Sequence, residues 1–452
     1  MKAYLDILKL VWPLALGMVN NALMQFIDRA FLSRESMESL EAVLPASMLS
    51  LIIVGFFQAV VAYSGTFVAT YHGAGNRKMC ETAYRAGTTL ALVFGFLVLA
   101  FIPFGGFIFE TFSIGEELIK REKEYYSICT AAGIFIFGQM AAQAYFTGKG
   151  KTRAVFVVNL IGNIVNIALD PLLIFGWCGL PALGISGAAL ATAIALAVQW
   201  AILAILAQSD IRSERAVHPA PCKRGQAPEA SAKSVMWRIL RYGIPSGGYS
   251  TLNLVSFTVF VFFTGRVGHL EAAVSNACFA INYLLFAPIE GFALGAATLV
   301  GQAKGAGDTE AAQRAGWRTA ILATILTAML LALTLLLNRP ILGIFAPDDP
   351  KLASEFTSLG FTLLLLMAAW QIFEVFDTVV SGALKGAGDT AFVMWWMLVG
   401  AFVLWLPLVA AVSFFHNTMP MLWATIVFEV AALCIGTLLR WKRGRWKTIS
   451  LT

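Results

Sequence analysis

The sequence predicts an all-α integral membrane protein, with twelve transmembrane helices in two parallel-repeat six-helix lobes around a central cleft. Three observations lead there. The chain of 452 residues is 59% hydrophobic and only 13% charged, where soluble domains carry about 25% charged residues. Its apolar runs are long enough to cross a bilayer, which takes ~20 residues each. Finally, landmarks of the first half recur in the second half in the same order.

The spans fall at 8–32, 43–70, 86–109, 125–147, 154–177 and 183–207, then 242–264, 274–300, 317–337, 355–383, 391–414 and 420–439. Residues 1–207 are expected as an N-terminal lobe and 242–439 as a C-terminal lobe. Between them, 208–241 holds seven Lys or Arg and three prolines and reads as a solvated cytoplasmic basic linker. Residues 440–452 read as a basic tail. The first residues loosely mimic a signal peptide, but the apolar stretch runs on to Phe31 with no small-residue cleavage site, so an uncleaved first helix is expected.

Orientation follows from the basic residues. With the N-terminus inside, 24 of the 32 Lys and Arg fall on cytoplasmic segments. That satisfies the positive-inside rule with both termini cytoplasmic in the plasma membrane. The net charge of +6 then reflects loops facing the cytoplasm and implies no nucleic-acid partner. The six Cys are scattered without CxxC or metal spacing and read as small hydrophobes or loop thiols.

The repeat rests on four landmarks. Pro13 matches Pro245, and the loop Gly73 to Asn76 matches Gly305 to Asp308, both at an offset of 232. Leu40 to Ala42 matches Leu270 to Ala272 at 230, and Gly148 to Thr152 matches Gly386 to Thr390 at 238. Six spans per unit is an even number, so both units cross the membrane in the same sense, related by an axis along its normal. That is a transporter architecture. Gly73, Gly75, Gly305 and Gly307 are expected to permit tight turns at positive φ.

Polar side chains inside the spans fall in stripes. In the fifth span Asn159, Asn163, Asn166 and Asp170 are four, three and four apart, which places them on one narrow helix face. In the first span Asn21, Gln25 and Asp28 share an arc. The seventh offers Ser246, Tyr249, Asn253 and Ser256, and the tenth Gln371, Glu374, Asp377, Thr378 and Ser381. A carboxylate at membrane depth costs roughly 2.5–3.5 kcal/mol on insertion scales, so these acids should face a polar interior. A single Asn on such a face serves equally well to glue helices together.

Glu290 and Glu429 are also intramembrane, whereas no Lys or Arg occupies the centre of a span. Buried acids without buried bases attract protons, Na⁺ or organic cations. The aromatic side chains of Phe26, Phe56, Phe57, Tyr145, Tyr249, Tyr283, Trp370 and Phe373 could meet such cations, though most aromatics in a membrane protein face lipid or core. Nothing supports an enzyme. All four His lie in expected loops, and there is no HExxH, GxSxG or P-loop.

On these residues the chain resembles the multidrug and toxic compound extrusion (MATE) family, in its prokaryotic form. The resemblance is carried by Ile244-Pro245, the run GQAKGAGD at 301–308 with its first-half echo, and Asn166 with Asp170-Pro171. It is carried further by GISGAALAT at 184–192 and by Asp377 followed by GALKGAGDT. It implies a monomer with no cofactor beyond its coupling ion, exporting amphipathic organic cations in exchange for H⁺ or Na⁺. It also implies an ion site, for H⁺ or Na⁺, at Asp28, Asn166, Asp170 and Thr192.

A substrate cavity would then be lined by Asn21, Gln25, Asn163, Tyr249, Asn253, Gln371, Glu374 and Asp377. The family's second acid pair joins the seventh and tenth helices, and here the seventh-helix position is Asn253, a departure that shifts the weight to the first-half site. The alternative is a flippase for a lipid-linked sugar precursor, built on the same architecture but lined with Arg for phosphate.

Overall fold

Each predicted apolar run becomes a helix, because a backbone surrounded by lipid must satisfy its own hydrogen bonds. The computed structural model describes residues 2–35, 37–112, 115–179, 181–217, 231–347 and 349–451. The middle of the basic linker, 218–230, and the side chains of Phe26 and Arg29 lie outside the described residues.

The first six helices are α1 (Lys2–Glu35), α2 (Met37–Ala62, resuming at Ser64–Gly73), α3 (Arg77–Leu99, resuming at Ile102–Phe112), α4 (Glu116–Ala131, resuming at Gly133–Gly148), α5 (Thr152–Ile174) and α6 (Gly184–Val217). The second six are α7 (Ala232–Thr264), α8 (His269–Gly305), α9 (Thr309–Leu336), α10 (Pro350–Gly386), α11 (Thr390–Leu398, a π-helical turn Val399–Trp405, then Leu406–Phe415) and α12 (Met419–Arg443). These twelve are long and apolar enough to cross a membrane.

Several helices run beyond the apolar runs because charged ends can still be helical. α4 starts at Glu116, where Arg121 pairs with Glu117 one turn away at 3.2 Å. α10 starts at Pro350, capped by the Asp349 carboxylate, which accepts from the N–H groups of Lys351 at 2.8 Å and Leu352 at 3.1 Å. Proline as the first helical residue loses no bond there. α6 and α7 each extend into the expected linker. The wide turn in α11 comes just before Pro407, whose missing N–H and ring disturb the preceding turn.

The repeat is visible in the packing of glycines, and it corrects one expectation. Gly75, Gly307, Gly150 and Gly388 adopt positive φ, at 71°, 80°, 76° and 94°. Each closes the preceding helix with the paired bonds of a Schellman cap. Gly75 N–H donates to His72 O at 3.0 Å and Asn76 N–H to Tyr71 O at 2.9 Å, and Gly307 and Asp308 repeat this onto Lys304 and Ala303.

Gly73 and Gly305, expected to turn the chain, remain helical and serve close contact instead. A Cβ on Gly73 would sit 1.9 Å from Gln302 O, and one on Gly305 would sit 1.9 Å from Thr70 O. In the same way Gly148 packs on Gly65 O and Gly386 on Ala297 O, at 2.6 and 2.3 Å for an added Cβ.

The chain forms two compact units. The N unit comprises Leu16–Gly247, Gly301–Asp308 and Leu451–Thr452; the C unit comprises Met1–Ala15, Gly248–Val300 and Thr309–Ser450. These boundaries differ from a cut within the basic linker, and glycine contacts give the reason. Gly291 and Gly295 in α8 fit against Ala15 and Val11, so the first turns of α1 join the second-half helices. The Gly73–Gly305 contact carries 301–308 the other way. The N unit core is built on Val60, Phe67, Phe137, Leu203 and Ile239. That of the C unit is built on Phe260, Leu363, Trp405 and Trp423.

A buried ion cluster ties the α4–α5 turn to α6 within the N unit. Lys149, 1% exposed at its side chain, reaches Asp210 at 2.5 Å and Glu214 at 2.6 Å, and Tyr145 donates to Asp210 at 3.0 Å. Lys149→Met would leave Glu214 without its cation and Asp210 with Lys151 alone. The expected outcome is a loss of about 2 kcal/mol, read as a lower unfolding midpoint in detergent. In the C unit the corresponding turn carries the opposite sign, with Asp389 accepting a bidentate pair from Arg440 of α12 at 2.7 and 3.1 Å.

Candidate functional site

The stripe on α5 faces inward within the N unit. Asn159, Asn163, Asn166 and Asp170 are 5%, 3%, 0% and 0% exposed, while Ile161 and Ile164 on other faces are 40% and 58% exposed. α1 and α6 supply the remaining groups.

With its amide oriented to satisfy its neighbours, Asn166 donates to Asp28 Oδ1 at 2.9 Å and accepts from the Thr192 backbone N–H at 3.3 Å. Thr192 spends its hydroxyl proton on Ala188 O at 3.1 Å, leaving oxygen lone pairs free to face a cation. Asp28 and Asp170 lie close enough for their carboxyls to act on each other. Among the described residues, neither buried oxygen of Asp170 has a hydrogen-bond partner. Asp28, Asn166, Asp170 and Thr192 are therefore brought together as one group.

Two carboxyls that face each other in a buried place repel unless a proton or a cation lies between them. All the available ligands here are hard oxygens: carboxylates, an amide and a hydroxyl. That set suits Na⁺ as well as a shared proton. Pro171, inside α5 directly after Asp170, removes the N–H that would bond the Ile167 carbonyl and frees one more oxygen on this stretch of the helix.

The group continues into a ladder of amides of which the helical stripes hold only a part. Asn163 donates to Asn21 Oδ1 and to Asn20 O, both at 3.2 Å. Gln199 of α6 donates to Asn163 Oδ1 at 3.5 Å and to Asn159 O at 3.4 Å. Gln139 of α4 donates to Asn159 Oδ1 at 3.2 Å and to Gln143 at 2.9 Å. Gln139, Gln143 and Gln199 are buried and were not singled out from the sequence. A lone polar residue in an apolar run, as Gln199 is, carries no periodic signal of its own. Asn21 and Asn163 thus sit in a packed network, whereas Gln25 is exposed.

The C unit gathers a second constellation. Asp377 accepts from Thr437 Oγ1 of α12 at 2.9 Å, and Glu374 accepts from Trp370 Nε1 at 3.1 Å. Gln371 donates to Asn282 Oδ1 of α8. Glu290 of α8 and Glu429 of α12, left without a role by the sequence, join them: all four acids act on the Tyr249 phenol within electrostatic range. Asn253, the seventh-helix position where an acid is missing, is exposed. Acids from α8 and α12 stand near Asp377 and Glu374 in its place.

One sequence expectation is corrected in this constellation. The interior was expected to contain no cation, yet the Lys385 ammonium lies over the Tyr249 ring, 3.6 Å from its centroid, within electrostatic reach of Asp377 and Glu290. α10 runs to Gly386 rather than to 383, and a long helical side chain leans back toward the helix N-terminus. Together these return the ammonium to the acids.

Most of the other aromatic candidates are core. Phe57 packs on Phe94 and Phe137, and Trp370 packs on Trp423 at 4.9 Å between ring centroids. Tyr283 and Phe373 are 50% and 38% exposed.

The probable multidrug resistance protein NorM of Thermotoga maritima is 24% identical over 449 residues, covering 98% of this chain and 93% of the relative. A MOP superfamily transporter from Pyrococcus furiosus superposes with a TM-score of 0.82 at 20% identity, covering 97% of this chain and 95% of that one. A MATE protein in its straight conformation gives 0.83 at 19% identity with the same coverage. The latter two show the fold. The MatE family model matches residues 13–172 and 245–411, both halves of the repeat, and so the chain belongs to the MatE family: it is a multi-pass membrane transporter and not an enzyme.

Proposed function

We propose that the chain is a secondary antiporter that exports amphipathic organic cations in exchange for H⁺ or Na⁺. It would work as a monomer in the plasma membrane with both termini cytoplasmic. The observation that carries this reading is the Asp28–Asp170 pair, in which the buried, unpartnered Asp170 carboxyl calls for a proton or a Na⁺ beside the half-buried Asp28. Asn166 and Thr192 supply the remaining oxygens. Export of varied compounds is supported by the likeness to a protein named for multidrug resistance. Ion entry would compete with substrate through bending of α1 near Pro13 or of α5 near Pro171, each inside its helix. Cells lacking other pumps should gain resistance to ethidium when they express the protein. Equal sensitivity with and without correctly inserted protein would count against the reading.

Glu374 and Asp377, together with Tyr249, Asn253 and Gln371, are proposed to select substrate rather than to couple energy. Glu374→Gln with Asp377→Asn should change the ranking of exported dyes while ion-dependent conformational change, followed by tryptophan fluorescence, persists. Loss of every ion response in that double variant would overturn the assignment.

A lipid-linked sugar flippase is the second reading, and Lys385 is the observation that favours it, since a phosphate needs a cation. Asp377 and Glu290 beside that ammonium repel a phosphate, which leaves export of cations the better supported function.

A further inference from the structure

We propose that Lys385 is a tethered occupant of the C unit's cation site: its ammonium fills the place an organic cation takes, and must swing out for one to bind. The inference rests on the export reading for the identity of the ligand, and on four observations for the site.

First, the Lys385 ammonium sits 3.6 Å from the centroid of Tyr249, the geometry in which an aromatic face attracts a quaternary or protonated amine. Second, four carboxyls from three helices act on the Tyr249 phenol within electrostatic range: Asp377 and Glu374 on α10, Glu290 on α8 and Glu429 on α12. An aromatic face within the field of several acids is a receptor for amphipathic cations, and a lysine side chain is such a cation on a four-carbon stem. Third, Lys385 is in the last turn of α10. From there a lysine ordinarily reaches out to water or caps the final carbonyls. The inward rotamer brings the ammonium to the ring and the acids.

Fourth, the stripe between Asp377 and Lys385 contains an unused donor. Ser381 lies four residues from each, is 2% exposed, and its hydroxyl has no partner. The Gln371 Oε1 on the same helix is likewise buried and unpartnered. Buried polar groups without a partner call for an explanation in a native structure, and a ligand that reaches them supplies one.

A tethered occupant has two consequences. It keeps the buried acids compensated when no substrate is present, which lowers the expense of an empty site. It also raises the threshold for binding, since an incoming cation must outcompete an ammonium already in place. Weak or small cations would fail, and those with a broad aromatic or apolar body would succeed. Selectivity would then be set by Lys385 together with the lining.

The test is binding of ethidium to purified full-length protein in detergent, followed by fluorescence anisotropy. Lys385→Gln should bind ethidium about tenfold more tightly than wild type, and Lys385→Arg, which keeps the charge, should bind as wild type does. Asp377→Asn added to Lys385→Gln should remove the gain. Lys385→Met serves the same purpose if the Gln variant is not monodisperse.

Wild-type binding with no gain in either neutral variant would overturn the tethered occupant while leaving the export reading intact. A gain in the neutral variants, with no ethidium efflux by wild-type cells, would support the occupant and sink the export reading. Binding by neither form would overturn both.

Discussion

Asp170→Asn is expected to abolish ion-coupled efflux while the protein still inserts and folds, and Asp28→Asn is expected to do the same. In each variant an amide replaces one of two facing carboxyls, so the pair no longer needs a proton or Na⁺ to stay together. The amide can donate to the remaining carboxylate, which satisfies the site permanently. A site satisfied without its ion cannot report that ion's arrival.

Because both acids serve one group, the double variant should be no worse than either single one, the non-additivity expected of residues acting as a unit. Efflux of ethidium from everted vesicles, driven by an imposed proton or Na⁺ gradient, reads the effect. Wild-type rates in either single variant would end this account of the N unit. Thr192→Val, which removes only one neutral oxygen, should weaken coupling without abolishing it.

The second large effect concerns folding. Gly73→Val would place side-chain carbon where Gln302 O now stands, 1.9 Å from the added Cβ. Backbone cannot yield as a flexible side chain does, so the two helix ends must separate. About 3 kcal/mol of stability should be lost. Gly305→Val should match it, because its Cβ meets Thr70 O at the same distance. Gly75→Ala tests the other role of these loops. It has open space around it but a φ of 71°, and should cost only about 1 kcal/mol. Thermal unfolding in detergent separates the two roles. Equal midpoints for Gly73→Val and wild type, beside a lowered Gly75→Ala, would contradict the packing argument.

These results also mark what was legible in the chain. Helix number, the repeat and the inward face of α5 could be read directly, because hydropathy and helical period report burial on a single element. Asp28, Asn166, Asp170 and Thr192 were matched from a family resemblance, and the structure assembles them.

What escaped was whatever depends on contact between elements. The glycine loops looked like turns at every position, yet Gly73 and Gly305 serve close contact, which only the partner helix reveals. Lys385 reads as a loop residue because hydropathy ends the tenth span at 383, three residues before the helix does. Its ammonium returns inward on a long stem that no window average registers. Glu290 and Glu429 each stand alone in their own apolar runs. Only the packing of α8, α10 and α12 makes them neighbours of Asp377.

The central claim is that the Asp28–Asp170 pair holds the coupling ion and that substrate binding expels it. The most direct measurement is ion release on substrate binding by purified protein: proton release followed with an indicator dye in weak buffer, and Na⁺ release with radioactive Na⁺, as ethidium is added. The account predicts release of one of these ions from wild type and none from Asp170→Asn. Ethidium binding by wild type with neither ion released, or an undiminished release from Asp170→Asn, would contradict it.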